Sequence, residues 1–516
     1  ERRGLRDRLR PEGRRVTDAP ARRVSIMEHR IFGIESEFGL SYVPHGMGRL
    51  SIEESAAALF KPVLDQWRST NVFLPNGGRL YLDVGSHPEY ASAECSSIDE
   101  LLAQERAGEL LFADLARTAR KRLLAGSEGR PLDGELYLFK NNVDSAGNSY
   151  GSHENYLISR KLQFNDLIAQ LVPFLVTRQI LVGAGKTHPQ GGPVPGSTDP
   201  ASSTGVPSYS FSQRADHIWE AASTSTSRAR PLINTRDEPH ADASKFRRMH
   251  VINGDSNMAE PTVLLKIAST DLVLRMLEDR FPVTSLDIVS VPAALRAISH
   301  DLTGTATFQT TDGQYYTALS VQRHYLDAAR QYVQQYGAHH RHVDYALNLW
   351  QRTLDAIESG DYSGIDTEID WAIKKKLLDA YIARARAAGQ PADYASARIR
   401  QLDLAYHDID PDRSVFHALV RRGAVKRILP EGAAEAAKTE PPATRATQRS
   451  RFINAAVAAG EQFTVDWVHL KLNAYPQHTL VCKDPFATDS EGLQEVLTLL
   501  EGKARQHREA AFPPPC

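Results

Sequence analysis

The chain has 516 residues, 41% of them hydrophobic and 24% charged, with a formal net charge of -2 and a sequence pI near 6.9. That length allows a large buried core and more than one domain, and the near-neutral charge excludes a global field aimed at nucleic acid. Three cysteines, Cys95, Cys482 and Cys516, lie far apart without metal-binding spacing; this suits a reducing, cytoplasmic setting, and no apolar run approaches the roughly 20 residues that cross a bilayer.

Residues 1–28 are Arg-rich, carry Pro11, Gly13 and Pro20, and lack apolar periodicity. They read as a disordered leader, with a basic arm or a transit-like peptide as the alternatives. In the stretch from His29 to Gly39, Phe32, Ile34 and Phe38 fall on one face of a predicted strand and Glu35 and Glu37 on the other. Two carboxylates one strand repeat apart are separated by roughly 7 Å along the chain. Such a face meets water, arginines or a cation, and a hard cation such as Mg²⁺ takes carboxylate oxygens. Ser51 caps a predicted helix to about Ser69, with Glu53 and Glu54 in its first turn.

The next strand is the most informative. After the turn Asn76-Gly77-Gly78, Leu80 and Leu82 alternate with Arg79, Tyr81 and Asp83, so a cation, a phenol and a carboxylate share one surface. Gly85-Ser86-His87-Pro88 turns the chain, and Glu89, Ser92 and Glu94 follow closely. The alternative is a half-buried edge strand whose polar face meets water. A long amphipathic helix is expected from about Ile98 to Leu124, then a short strand at Leu136–Phe139. The polar run from Lys140 to Leu157 includes Asn142, His153, Glu154 and Asn155, which either position a substrate or tie the loop together through backbone hydrogen bonds.

Gly183-Ala-Gly-Lys-Thr187 is not a phosphate loop, because Ile180 stands where the motif needs its first glycine. Pro189 to Ser203 reads as a flexible loop. Arg214, Arg228, Arg236, Arg247 and Arg248 suit bidentate binding of phosphate or carboxylate, or else structural pairing with Asp237, Glu238 and Asp242. The alternation of Phe246–Ile252, ending at Asn253-Gly254, predicts a hairpin, with His250 as a second-metal ligand or a core histidine. Helical periodicity dominates from Thr262 to Val425, and the Lys374–Lys376 run reads as a solvated face from which Asp370 and Lys374 could touch a partner. Residues 433–446 read as a linker. A helix, a short strand at Phe463–Trp467 and a final amphipathic helix follow.

Gly33-Ile-Glu-Ser-Glu-Phe-Gly39, Arg79-Leu-Tyr-Leu-Asp83 with His87-Pro-Glu-Tyr90, Lys140-Asn-Asn-Val-Asp144, His153-Glu-Asn155 and Thr235–Asp242 together resemble the Pup ligases, relatives of glutamine synthetase and the carboxylate-amine ligases. The resemblance runs in order from about Arg30 to Glu501. It implies an α+β fold: a curved, mostly antiparallel sheet cradle packed on helices over 29–432, then a small C-terminal α/β domain at 447–516. It further implies that Glu35, Tyr81 and Glu89 hold Mg²⁺, that Arg79, Ser92 and Trp467 contact ATP, and that Asp83 is the catalytic base. The implied reaction joins the C-terminal Glu side chain of the prokaryotic ubiquitin-like protein Pup to lysines of target proteins, marking them for proteasomal degradation. The sister Pup deamidases share the fold, but they carry a long insertion for which Leu40–Pro75 leaves no room. A non-catalytic ATP-binding module is the other alternative. Ser36 and Ser92 stand where the family has threonine, and both keep the hydroxyl.

Overall fold

The computed structural model describes residues 27–83, 85–127, 129–144, 147–193, 203–283, 285–473 and 477–511. The predicted leader therefore lies outside the described residues except for its last two, as do residues 194–202 of the predicted Pro/Gly loop. Packing is in place by Met27, which is buried and whose carbonyl accepts a 3.0 Å hydrogen bond from Arg275.

In chain order the N-terminal elements are β1 (Phe32–Glu37), β2 (Gly39–Pro44), α1 (Ile52–Trp67), β3 (Asn71–Phe73), β4 (Arg79–Asp83), β5 (His87–Ala91), α2 (Ile98–Ala125), β6 (Gly134–Phe139) and β7 (Ser152–Ser159). Next come α3 (Phe164–Thr177), β8 (Lys186–His188), β9 (Ser208–Ser210), β10 (Glu220–Ser223), β11 (Pro231–Asn234) and β12 (Phe246–Val251). Both α1 and α2 start with a capping box, Ser51 with Glu54 and Ser97 with Glu100, which satisfies the free amides of the first turn.

The main sheet has eight strands in the order β10-β11-β12-β7-β1-β5-β4-β3, antiparallel except for the β10–β11 pair. Its apolar face, with Phe32, Ile34, Tyr156, Ile158, Met249 and Val251, joins one large core with the helices. At the centre of that core lies α4 (Glu260–Glu278), which is buried on every side from Pro261 onward and therefore shows little amphipathicity. A smaller core fills the space between β2–β6 and α1–α2. Helices α5 (Val291–Ser299), α6 (Ala318–Tyr336), α7 (Val343–Ser359), α8 (Asp370–Ala387) and α9 (Ala397–Tyr406) complete the large part of the molecule.

Three expectations change. Asn253-Gly254 is no hairpin turn: β12 pairs with β7 and β11, and the chain leaves Asn253-Gly254 for α4. Asp370 and Lys374 are fully buried rather than solvated. Lys374 donates to the Gly185 carbonyl at 2.6 Å and pairs with Asp403 at 2.6 Å, while Asp370 accepts from the Tyr406 hydroxyl and the backbone at Met258. The segment 433–446 is packed down, with the Ala437 carbonyl held by Asn76 and Lys438 paired with Asp114.

Beyond it, α10 (Arg445–Ala458), a three-stranded antiparallel sheet of residues 463–465, 469–472 and 478–481, and α11 (Leu493–Ala511) share a core of Phe452, Leu470, Leu472, Val496 and Leu500. Among the described residues, no helix is long and apolar enough to cross a membrane.

Candidate active site

The strand registers determine which polar side chains meet. Arg79 lies opposite Ala91, Ala91 opposite Glu35, and Glu35 opposite His153. In the adjacent row Tyr81 faces Glu89, which faces Glu37, and beyond it Asp83 faces His87. On the other side Asn155 pairs with His250, which pairs with Asn234. Directly opposed residues share a face, so these rows gather Arg79, Tyr81, Asp83, Glu89, Glu35 and Glu37 with His153, Asn155, Arg248 and His250 on the side of the sheet away from the helical core.

Charge on this face is unbalanced. Glu35 accepts from His153 Nδ1 and from Asn155 Nδ2, each at 2.9 Å, with Arg248 at 3.5 Å and His250 Nε2 at 3.7 Å. Burial works to raise its carboxyl, but His250 and His153 outweigh burial and hold it well below the usual range. Glu89 has the opposite fate. Burial first, then the charges of Glu37 and Glu35, push it well above the ordinary value, with Asp83 adding to the effect. Burial, then the charges of Glu35 and Glu89, push the Tyr81 phenol up, and its hydroxyl bonds to Glu89.

A hard divalent cation fits this face. Glu35, Tyr81 and Glu89 offer oxygens, and a cation would offset the repulsion from Glu37 and Glu35 that, after burial, pushes the Glu89 carboxyl up. Ligand atoms of Glu37, Glu89 and His153 lie within 4.8 Å of one another, as do those of Glu35, His153 and His250. Buried His250 Nε2 has no hydrogen-bond partner.

Next to this face opens a cleft lined by Gly33, Glu35, Ser92, His240, Arg248 and Trp467. Ser92 is buried, and its Oγ accepts from the Ile34 amide at 3.0 Å, so the hydroxyl hydrogen is left for another acceptor. Trp467 reaches the cleft from the C-terminal part. Its ring packs edge-on to Phe73, with centroids 4.8 Å apart, and carries the Arg449 guanidinium at 5.1 Å. Arg449 also donates to the Gly77 carbonyl at 2.7 Å. Gly77 has φ +82 and passes so close to α10 that a Cβ would sit 2.7 Å from that of Ala446. The β3–β4 turn is thereby bound to the segment that carries Trp467.

Arg79 sits one strand from the cleft, stacked on the Tyr81 ring at 4.4 Å and donating from Nε to Asn71 at 2.8 Å. Asp83, at the end of β4, is exposed. Glu35, Tyr81, Glu89 and Asp83 thus share one neighbourhood, with Ser92 and Trp467 in the adjoining cleft.

The Lys140–Leu157 cluster divides. His153 and Asn155 face the site, whereas Glu154 points into the core and forms a bidentate pair with Arg178 at 2.7 Å. Asn142 holds Ser256 and the Tyr150 carbonyl. Glu37, which shares its predicted strand face with Glu35, and Arg248, one of the arginines suited to phosphate or carboxylate, both reach the site, and His240 joins them without a signal in the sequence.

A family described as Pup-ligase protein matches residues 30–471. The Pup–protein ligase of Rothia mucilaginosa is 96% identical over 490 residues, covering 95% of this chain and 100% of that protein. That of Kocuria rhizophila is 52% identical over 473 residues, covering 91% and 98%. The crystal structure of the complex between Pup and its ligase PafA superposes with a TM-score of 0.85 at 40% identity, covering 94% of each chain. The structure of PafA in complex with ADP gives 0.77 at 41% identity, covering 89% of this chain and 96% of that one. The chain belongs to the Pup ligase family.

Proposed function

We propose that the chain is an ATP-dependent Pup–protein ligase, joining the side-chain carboxylate of the C-terminal Glu of Pup to a lysine amine of a target protein. One observation carries the assignment to this sheet face: Glu35, Tyr81, Glu89 and Asp83 converge beside a cleft that Ser92 and Trp467 line. The oxygens of Glu35, Tyr81 and Glu89 would hold Mg²⁺, which when bound neutralises phosphate charge and polarises the transferring phosphoryl group. Trp467 offers a π-face for the adenine base, the Ser92 hydroxyl a donor, and Arg79 a cation fixed in place by Tyr81 and Asn71.

In the first step a carboxylate oxygen of Pup attacks the γ-phosphorus of ATP; the bond to the β-phosphate oxygen breaks, ADP leaves, and a γ-glutamyl phosphate results. In the second, a lysine nitrogen attacks the acyl carbon, phosphate departs, and the amide forms. A lysine with a reference pKa of about 10.4 is charged at neutral pH, so a base must take its proton. We assign that role to Asp83, and its exposure at the strand end, which leaves a side chain on a folded target a route to it, supports the reading. Assistance of this kind is worth roughly 10²–10⁴-fold.

The test is ADP release and conjugate formation with Pup ending in Glu, with and without a lysine-bearing target, beside Pup ending in Gln. A ligase conjugates the Glu form and leaves the Gln form untouched. Conversion of Gln to Glu without ligation would assign the chain the sister deamidase activity, and nucleotide binding without turnover would make it a binding module.

A further inference from the structure

A second cluster of metal-ligating side chains lies apart from the sheet face. His188 ends β8, Asp216 sits in the one-turn 3-10 helix Ala215–His217, and His300 caps the C-terminus of α5. A ring nitrogen of His188, a carboxylate oxygen of Asp216 and a ring nitrogen of His300 all lie within 4.8 Å of one another. The two imidazoles approach with centroids 4.5 Å apart. Elements distant in sequence thus bring two nitrogens and one oxygen to a single point.

The hydrogen bonds around them prepare the first histidine for a ligand. Ser210, fully buried, donates its hydroxyl to the Ser212 carbonyl at 3.1 Å. Its oxygen must then accept from His188 Nε2, 2.8 Å away, so Nε2 carries the proton and Nδ1 presents a lone pair. Fixing a tautomer through the far nitrogen is how proteins orient metal-binding imidazoles. His300 Nε2 contacts both Asp216 oxygens, at 3.0 and 3.2 Å, while its Nδ1 is buried without a partner against Gly192.

We propose that His188, Asp216 and His300 form a binding site for a borderline transition-metal cation, Zn²⁺ by its donor set. Two imidazoles and one carboxylate are a zinc-type set, whereas Mg²⁺ favours all-oxygen shells. At Zn–N and Zn–O distances near 2.0–2.1 Å the ligand atoms come to about 3.3 Å from one another, so binding draws the three side chains inward. Ligation through His300 Nε2 replaces its hydrogen bond to Asp216, and the ring hydrogen moves to Nδ1 so that the imidazole stays neutral. The fourth position is left to water. The ion would pin the 3-10 turn to β8 and α5, and that turn begins after Arg214, whose guanidinium donates to the Tyr150 carbonyl at 2.9 Å beside the active-site strands.

The competing donor sets are the sheet-face cluster with His153 and His250 and the group Asp271, His339 and His340, whose carboxylate already pairs with Arg30 and Arg275; the test is run with and without the first. Full-length protein stripped with chelator and carrying H153A and H250A is titrated with Zn²⁺, and separately with Co²⁺, in millimolar Mg²⁺. The expected result is one tightly held ion per chain, intense tetrahedral Co²⁺ absorption bands and a metal-dependent rise in Tm. All three are lost on adding H188A or H300A, with affinity at least tenfold weaker in D216N. Should the H153A/H250A background misfold, metal content of the single variants H188A and H300A replaces it, each expected to fall by one ion from wild type. Equal uptake with and without His188 and His300, or octahedral Co²⁺ spectra throughout, would overturn the proposal and leave the cluster a structural ion pair.

Discussion

The two faces of the main sheet treat carboxylates in opposite ways, and β7 shows it within three residues. Glu154 points backward into the core, where Arg178 matches it oxygen for oxygen and the Tyr156 hydroxyl adds a third bond at 2.6 Å. His153 and Asn155 point forward, toward Glu35, Glu37 and Glu89, whose charge is only partly met. The core holds other paired sets: Arg30 and Arg275 with Asp271 and Glu278, Lys140 and Arg106 with Glu105 and Glu109, and Glu94 with Arg445 and Arg449. Buried charge with its full complement of partners is architecture. Surplus charge of one sign, held on a rigid sheet beside a cleft, marks a candidate ligand site.

The contrast can be broken at three points. Glu154→Ala strands a fully buried guanidinium and is expected to cost about 3–5 kcal/mol in urea unfolding; a loss below about 1 kcal/mol would mean that the pair carries no structural load. Glu94 tests the same idea through pH. Burial would raise its carboxyl, but Arg449 and Arg445 overcome burial and hold it at about 2, below its unfolded value. Its contribution is therefore complete above about pH 4.5 and is lost as the pH falls toward 2, on the order of 3 kcal/mol. The stability gap between wild type and E94Q should close over that window; a gap independent of pH would contradict the pairing. Glu89→Gln, on the forward face, removes a repelled carboxyl and should leave unfolding of the ligand-free protein within about 1 kcal/mol of wild type. The thermal stabilisation by Mg²⁺ and ATP should disappear in the same variant. A large loss of intrinsic stability would place Glu89 with the architectural set instead.

How far the sequence revealed this follows from what each feature depends on. β1 and β4 were legible because alternation is local, and so were the start of α1, which Ser51 announces, and the long amphipathic run of α2 from Ile98. Register is not local. Nothing in residues 150–157 alone says that His153 lands opposite Glu35 while Glu154 turns toward Arg178, and His250 stayed undecided for the same reason. Lys374 looked solvated because its partners, Asp403 and the Gly185 carbonyl, come from distant segments. Asn253-Gly254 looked like a hairpin turn, yet the strand that pairs with β12 on each side is made elsewhere.

The central claim is that this face converts the Pup carboxyl into an acyl phosphate and that Asp83 then serves only the incoming lysine. Trapping with hydroxylamine, which attacks without a protein base, separates the two steps. With Mg²⁺, ATP and Pup ending in Glu, both wild type and D83N should form the Pup hydroxamate with matching ADP release, while D83N loses lysine conjugation by roughly 10²–10⁴-fold. Lysine conjugation by D83N at the wild-type rate, or conjugation by wild type with no trappable hydroxamate, would contradict the account.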